Sequence, residues 1–194
     1  MTKARLEAFS DGVIAILITI MVLELHVPHE ATWAALGPLV PIFLTYVLSF
    51  VFLGIYWNNH HHMLHAADRI SGRVMWANLH LLFWLSLIPF VTGWMGQNHV
   101  APNPSAAYGF VMLCAAIAYY ILAHSLVAAQ APDSRLARAV GRDRKGKVSV
   151  VLWAIGIGLA LVNPWMAVAI YVGVALMWLV PDTRIEKQLH DAHH

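Results

Sequence analysis

The chain has 194 residues, of which 60% are hydrophobic and only 11% charged. Water-soluble domains carry about 25% charged residues, so a soluble enzyme or a free-standing nucleic-acid-binding domain is excluded. The reading is an all-α membrane protein, one six-span domain over residues 1–194, in the lipid bilayer of the cell (inner or plasma) membrane.

A span needs roughly 20 predominantly apolar residues. The apolar runs predict helices at about 4–26, 36–63, 72–95, 105–129, 147–162 and 165–181. The first run lacks a small-residue cleavage site and is expected to be retained. Pro41 lies near the start of the second helix and Pro89 inside the third; a bundle tolerates both where neighbours satisfy the freed backbone groups. Asn163-Pro164 is a turn signal between the last two helices, which are expected to form a tight hairpin.

The 12 Lys and Arg residues fix the orientation. Lys3 and Arg5 precede the first span, and Arg69 and Arg73 separate the second from the third. Arg135, Arg138, Arg142, Arg144, Lys145 and Lys147 separate the fourth from the fifth, and Arg184 and Lys187 follow the sixth. The other three loops have none, so the positive-inside rule puts both termini in the cytoplasm. The sequence pI of about 8.8 is thus a record of topology, and no nucleic-acid partner is inferred. The polar 131–147 stretch reads as an ordinary cytoplasmic loop. The single cysteine, Cys114, sits in an apolar run and reads as a small buried hydrophobe. Trp33, Trp94 and Trp165 lie near span ends, as interfacial tryptophans do.

The first helix, R-L-E-A-F-S-D-G-V-I-A-I-L-I-T-I-M-V-L-E-L from Arg5 to Leu25, carries an acid at the edge of an apolar run. On a wheel of about 100° per residue, Arg5, Phe9, Gly12, Ile16, Thr19, Ile20 and Leu23 share one stripe. Asp11 falls on the far side. An unpaired Asp costs on the order of 3 kcal/mol at the bilayer centre and less near its edge. Asp11 is therefore expected either to face protein or to lie among the headgroups. Its expected partners are Ser10, Arg5 of another subunit, Asn78, His80 and the Asn58/Asn59 pair. The aliphatic stripe alone is compatible with lipid, with other helices or with a pore.

The stretch R-L-E-A-F-S-D, together with W-N-N-H-H in the second helix and N-L-H-L-L-F-W-L-S-L-I-P-F in the third, resembles the transmembrane protein 175 family. These are the lysosomal potassium channels of animals and their bacterial homologues. The resemblance implies a homotetramer in which the first helix of each chain lines a central pore, K+ is the permeant ion, and no cofactor is needed. It implies that the constriction is a ring of Ile16, followed by Thr19, Ile20 and Leu23. It also implies that Arg5, Phe9, Ser10 and Asp11, with His80, form a polar network bracing the pore helix. Glu24 and Glu30 lie near the outer end, where they would concentrate monovalent cations or simply be solvated.

The remaining polar residues leave other readings open. His60, His61, His62 and His65 end the second helix; His61 and His65, one turn apart, have the spacing of metal ligands. Asp68 is the nearest carboxylate in sequence, and no dedicated metal site is inferred. His80 and His124 lie within spans and would be axial ligands if the chain were a haem protein. An ion-coupled secondary transporter is the other alternative, although no internal repeat supports it. The C-terminal H-D-A-H-H reads as a tail.

Overall fold

Every apolar run becomes helix, and the places where the helices start, stop and break follow local chemistry. The computed structural model describes residues 2–131, 134 and 144–179. The final two residues of the expected sixth helix, the C-terminal tail and most of the 131–147 loop lie outside them. Seven α-helices are described: α1 Lys3–Ile20, α2 Val40–His65, α3 Gly72–Ser86, α4 Ile88–Gln97, α5 Pro102–Ala128, α6 Arg144–Ala160 and α7 Pro164–Leu179. α1 runs on as a tighter 3-10 turn over Met21–Glu24, and a second 3-10 segment, Trp33–Leu39, leads into α2.

The third expected helix is the one that differs. It is broken at Leu87 into α3 and α4. Pro89 has no N–H, and its ring would clash with the carbonyl four residues back, so it is accommodated at the second position of a new helix. Hydroxyls bond the backbone on both sides of the break: Ser86 Oγ donates to Phe83 O at 2.7 Å, and Thr92 Oγ1 to Ile88 O at 2.6 Å. α3 and α4 together still form one apolar path, Gly72–Gln97.

Caps fix the other ends. Ser71 Oγ accepts from Val74 N–H at 3.3 Å at the start of α3. Pro102 and Pro164 open α5 and α7. Asn163 Oδ1 accepts from Trp165 N–H at 3.1 Å, so the Asn163-Pro164 turn joins α6 and α7 as expected. α4 ends in a Schellman-type cap, with Val100 N–H bonded to Met95 O at 2.9 Å and His99 N–H to Gly96 O at 3.1 Å. His99 and Val100 hold φ of 50° and 60° there, without a glycine.

Among the described residues, four helical segments are long and apolar enough to cross a membrane: Lys3–Glu24, Trp33–His65, Gly72–Gln97 and Pro102–Ala128. Pro164–Leu179 is apolar but shorter. The core runs along the bundle, where α5 packs on α3, α4, α6 and α7, and α2 packs on α4. Its widest side chains, Tyr108, Trp153 and Tyr171, stack with centroids 4.8–6.4 Å apart. Of the most apolar stretch in each long segment, 28% is buried in the first and 22% in the second, against 44% and 39% in the third and fourth. The first two segments are the least covered of the four.

The described basic residues gather at one end. Lys3 Nζ donates to His65 O at 2.7 Å, joining the start of α1 to the end of α2. Gln130, just past α5, bridges the α2–α3 connection: its Oε1 accepts from Asp68 N–H at 2.9 Å and its Nε2 donates to Arg69 O at 2.9 Å.

Candidate pore helix and its bracing network

α1 has two unlike sides. Leu6, Ser10, Ile14 and Leu17, followed by Met21, recur every three or four residues and are all buried. This face packs against α2 and α3.

Beside it runs a polar ladder. Lys3, Glu7 and Asp11 are spaced four apart on α1, and Trp57, His61 and His65 four apart on α2. Residues four apart stand above one another on a helix, so two such rows running in opposite directions meet rung by rung. Lys3 Nζ donates to the His65 carbonyl. His61 Nδ1 lies 3.3 Å from Glu7 Oε1, within ion-pair distance though without hydrogen-bond alignment. Trp57 Nε1 donates to Asp11 Oδ1 at 3.0 Å. The expectation that Asp11 finds a protein donor holds, but the donor is an indole rather than Asn58, Asn59, Asn78 or His80. Trp57 carries an N–H on an apolar body, which suits a carboxylate at the edge of the hydrocarbon.

A second, fully buried chain of bonds lies one position away. Ser10 Oγ donates to Leu6 O at 2.9 Å and accepts from Asn78 Nδ2 at 2.9 Å, and Asn78 Oδ1 lies 2.7 Å from His60 Nε2. Ser10, Asn78 and His60 all have 0% exposure. Three helices are therefore tied at one point. His60 holds the place in which His80 was expected. His80 lies on the exposed side of α3, and its Nε2 accepts from Trp84 Nε1 at 3.0 Å. The sequence signal for His60 was its register: Ser49, Leu53 and His60 follow one buried stripe of α2.

His61 and His65 stack, with centroids 6.2 Å apart. Glu7, not Asp68, supplies their nearby carboxylate. No three His, Cys, Asp or Glu converge as metal ligands among the described residues. His124 Nδ1 bonds the Tyr120 carbonyl of its own helix at 2.9 Å.

The remaining side of α1 is bare. Phe9, Ile16, Ile20 and Leu23 are 49%, 60%, 39% and 75% exposed, and Arg5, Gly12 and Thr19 lie open with them. Thr19 Oγ1 donates back to its own helix, 2.9 Å from Ile16 O and 3.1 Å from Ala15 O. Its proton is spent inside the helix, and its lone pairs point away from it. At the far end of the stripe Glu24 is not free: its Oε2 accepts from Gln97 Nε2 at 3.0 Å, and it packs where a Gly93 side chain would stand. Arg5 and Phe9 belong to this bare side, whereas Ser10 and Asp11 belong to the braced one.

Comparison with known proteins places this arrangement. Residues 5–89 match the family model described as endosomal/lysosomal potassium channel TMEM175. A protein of Chryseobacterium sp. (strain P1-3) named as a potassium channel is 50% identical over 191 residues, 98% of this chain and 100% of that one. Another so named, from Streptomyces collinus, is 36% identical over 131 residues, 62% of each chain. The crystal structure of a lysosomal potassium-selective channel TMEM175 homolog from Chamaesiphon minutus superposes with a TM-score of 0.81 at 25% identity, covering 92% of this chain and 96% of that one. The chain belongs to the TMEM175 family of ion channels.

Proposed function

We propose that four copies of this chain assemble around one axis as a potassium-preferring cation channel of the cell membrane, with both termini in the cytoplasm. The bare stripe of α1 lines the conduction path, and the four Ile16 side chains form its narrowest ring. The observation that carries this reading is the asymmetry of α1: one side is zipped to α2 and α3, and the other is uncovered from Phe9 to Leu23. The names of the relatives support the choice of ion.

The physics follows from the residues. One helix per chain cannot enclose a path, so assembly is obligatory. An aliphatic ring gates by dewetting when narrow. An ion crossing it sheds part of its hydration shell, and K+ gives up water more readily than Na+. One turn beyond, the Thr19 hydroxyls offer oxygen lone pairs to the partly dehydrated ion, since their protons are held by the Ala15 and Ile16 carbonyls. A few hydroxyl oxygens replace less of a hydration shell than a stack of carbonyls does, so the selectivity is modest. Ser10 and Asp11 hold the start of the helix in place, and Arg5 and Phe9 face the path at its mouth.

The test is passive K+ and Na+ flux into proteoliposomes, comparing the wild-type protein with Ile16→Asn. Flux that favours K+ in the wild type and rises with loss of preference in the variant supports the reading. Well-assembled protein that passes neither ion, or flux that saturates and depends on a second ion, refutes it.

A further inference from the structure

Away from α1, a cavity of about 340 Å³ opens between α2, α5, α6 and α7. This is within the range of small-ligand pockets, about 300–1,000 Å³. Its inner wall is apolar: Phe52, Met112, Ala116, Trp153 and Val174. Two of the polar side chains in the lining are already paired. Trp178 Nε1 donates to Ser149 Oγ at 2.8 Å, and Ser149 Oγ donates to Lys145 O at 2.8 Å. The interior therefore offers a guest apolar surface and little hydrogen bonding. The rim differs. Lys147, at the start of α6, lines the cavity with its side chain exposed, in the sequence R-K-G-K at residues 144–147. Tyr119, Tyr120 and Trp178 are also in the lining, residue types that favour the headgroup level of a bilayer.

We infer that this cavity binds one anionic phospholipid of the cytoplasmic leaflet, with an acyl chain inside it and the phosphate against Lys147. The charge pattern selects this occupant. An apolar interior with a cationic rim is the complement of an apolar tail with an anionic head, and basic pockets between transmembrane helices at the cytoplasmic side suit such headgroups. The basic end of the bundle faces the cytoplasm in the orientation proposed above, so the site rests on that orientation but not on conduction.

Trp153 and Trp178 in the wall give a direct readout. The assembled protein is reconstituted in vesicles of phosphatidylcholine containing a minor fraction of lipid brominated on its acyl chain, either phosphatidylglycerol or phosphatidylcholine. Brominated phosphatidylglycerol should quench tryptophan fluorescence more than brominated phosphatidylcholine at equal fraction. Ala116→Phe, which fills the cavity, should abolish the excess. Lys147→Gln, at an exposed position that does not threaten folding, should weaken the preference about fivefold, the factor of one basic residue near an anionic surface. Equal quenching by the two lipids in the wild type would overturn the inference, as would an excess that survives both substitutions. Because the readout is independent of flux, loss of the lipid preference in a conducting protein refutes this site alone.

Discussion

The α1–α2 contact and the α5–α7 region belong to one bundle but are built with opposite chemistry. Between α1 and α2, three rungs join Lys3 to His65, Glu7 to His61 and Asp11 to Trp57, with the Ser10–Asn78–His60 chain beside them. Around α5, α6 and α7, Tyr108, Trp153 and Tyr171 pack as tilted ring pairs, and glycines make room: a side chain at Gly109 would strike the Tyr171 hydroxyl and stand 2.9 Å from Ile157. Aromatic packing joins α5, α6 and α7 through undirected contacts, with Val151, Leu161, Val162 and Leu176 left exposed on the outside. A ladder of directed bonds holds a helix from one side only. The region with hydrogen bonds thus fixes the angle of α1 while leaving Phe9, Ile16, Ile20 and Leu23 uncovered, as the pore-lining role proposed for it requires.

The contrast can be broken at either region. The largest effect on flux is expected on the bare side: with Ile16 as the proposed constriction, Ile16→Asn should remove its dewetting barrier and raise reconstituted flux about tenfold or more, roughly 1.4 kcal/mol in barrier, with no loss of thermal stability. On the braced side, Asn78→Leu leaves His60 and the Ser10 lone pair without their partner. It should destabilise the protein by about 1–3 kcal/mol, read as a lower midpoint of thermal unfolding in detergent. In the aromatic region, Gly109→Ala forces Tyr171 or Ile157 aside and should cost a comparable ~1–3 kcal/mol, but with ion preference unchanged in whatever protein assembles. Trp57→Phe deletes a single interhelical bond, a loss of about 0.6 kcal/mol on average within membranes, and should show in flux more than in stability because it frees Asp11 on the proposed pore-lining helix. His99→Gly, the one stabilising change of the set, relieves a left-handed residue in the α4 cap and should raise the unfolding midpoint by up to about 1 kcal/mol in equivalent stability.

Much of the fold was legible because bilayers impose simple rules. Apolar length located the long helical runs among the described residues, and the turn at Asn163-Pro164 announced its hairpin. The break at Leu87 was not read, because whether Pro89 kinks or restarts a helix depends on which groups stand near Leu85 and Ile88. The two sides of α1 were legible from a wheel alone, since period 3.6 separates Ile16 from Asp11 in any α-helix. The partner of Asp11 was not. A tryptophan near a span end satisfies the interfacial rule whatever else it does, so Trp57 gave no signal of its own. His80 could have been set aside from spacing, since it lies two residues from Asn78 on one helix and so points away from it; the choice of His60 was hidden, because only the register of α2 against α3 brings it to Asn78. The Glu7–His61 contact was likewise invisible, since its partners are far apart in sequence and meet only when the two rows run in opposite directions.

The central claim is that the bare side of α1 faces water and ions. Substituted-cysteine accessibility tests it most directly, in a Cys114→Ala background that removes the chain's single thiol. Cysteines at positions 16, 19 and 23 are compared with cysteines at 14 and 17, using a charged, water-soluble thiol reagent during flux measurement. The account predicts rapid block at Ile16, Thr19 and Leu23 and none at Ile14 and Leu17. Block at Ile14 or Leu17 with silence at Ile16 would contradict it and move the conduction path to another helix.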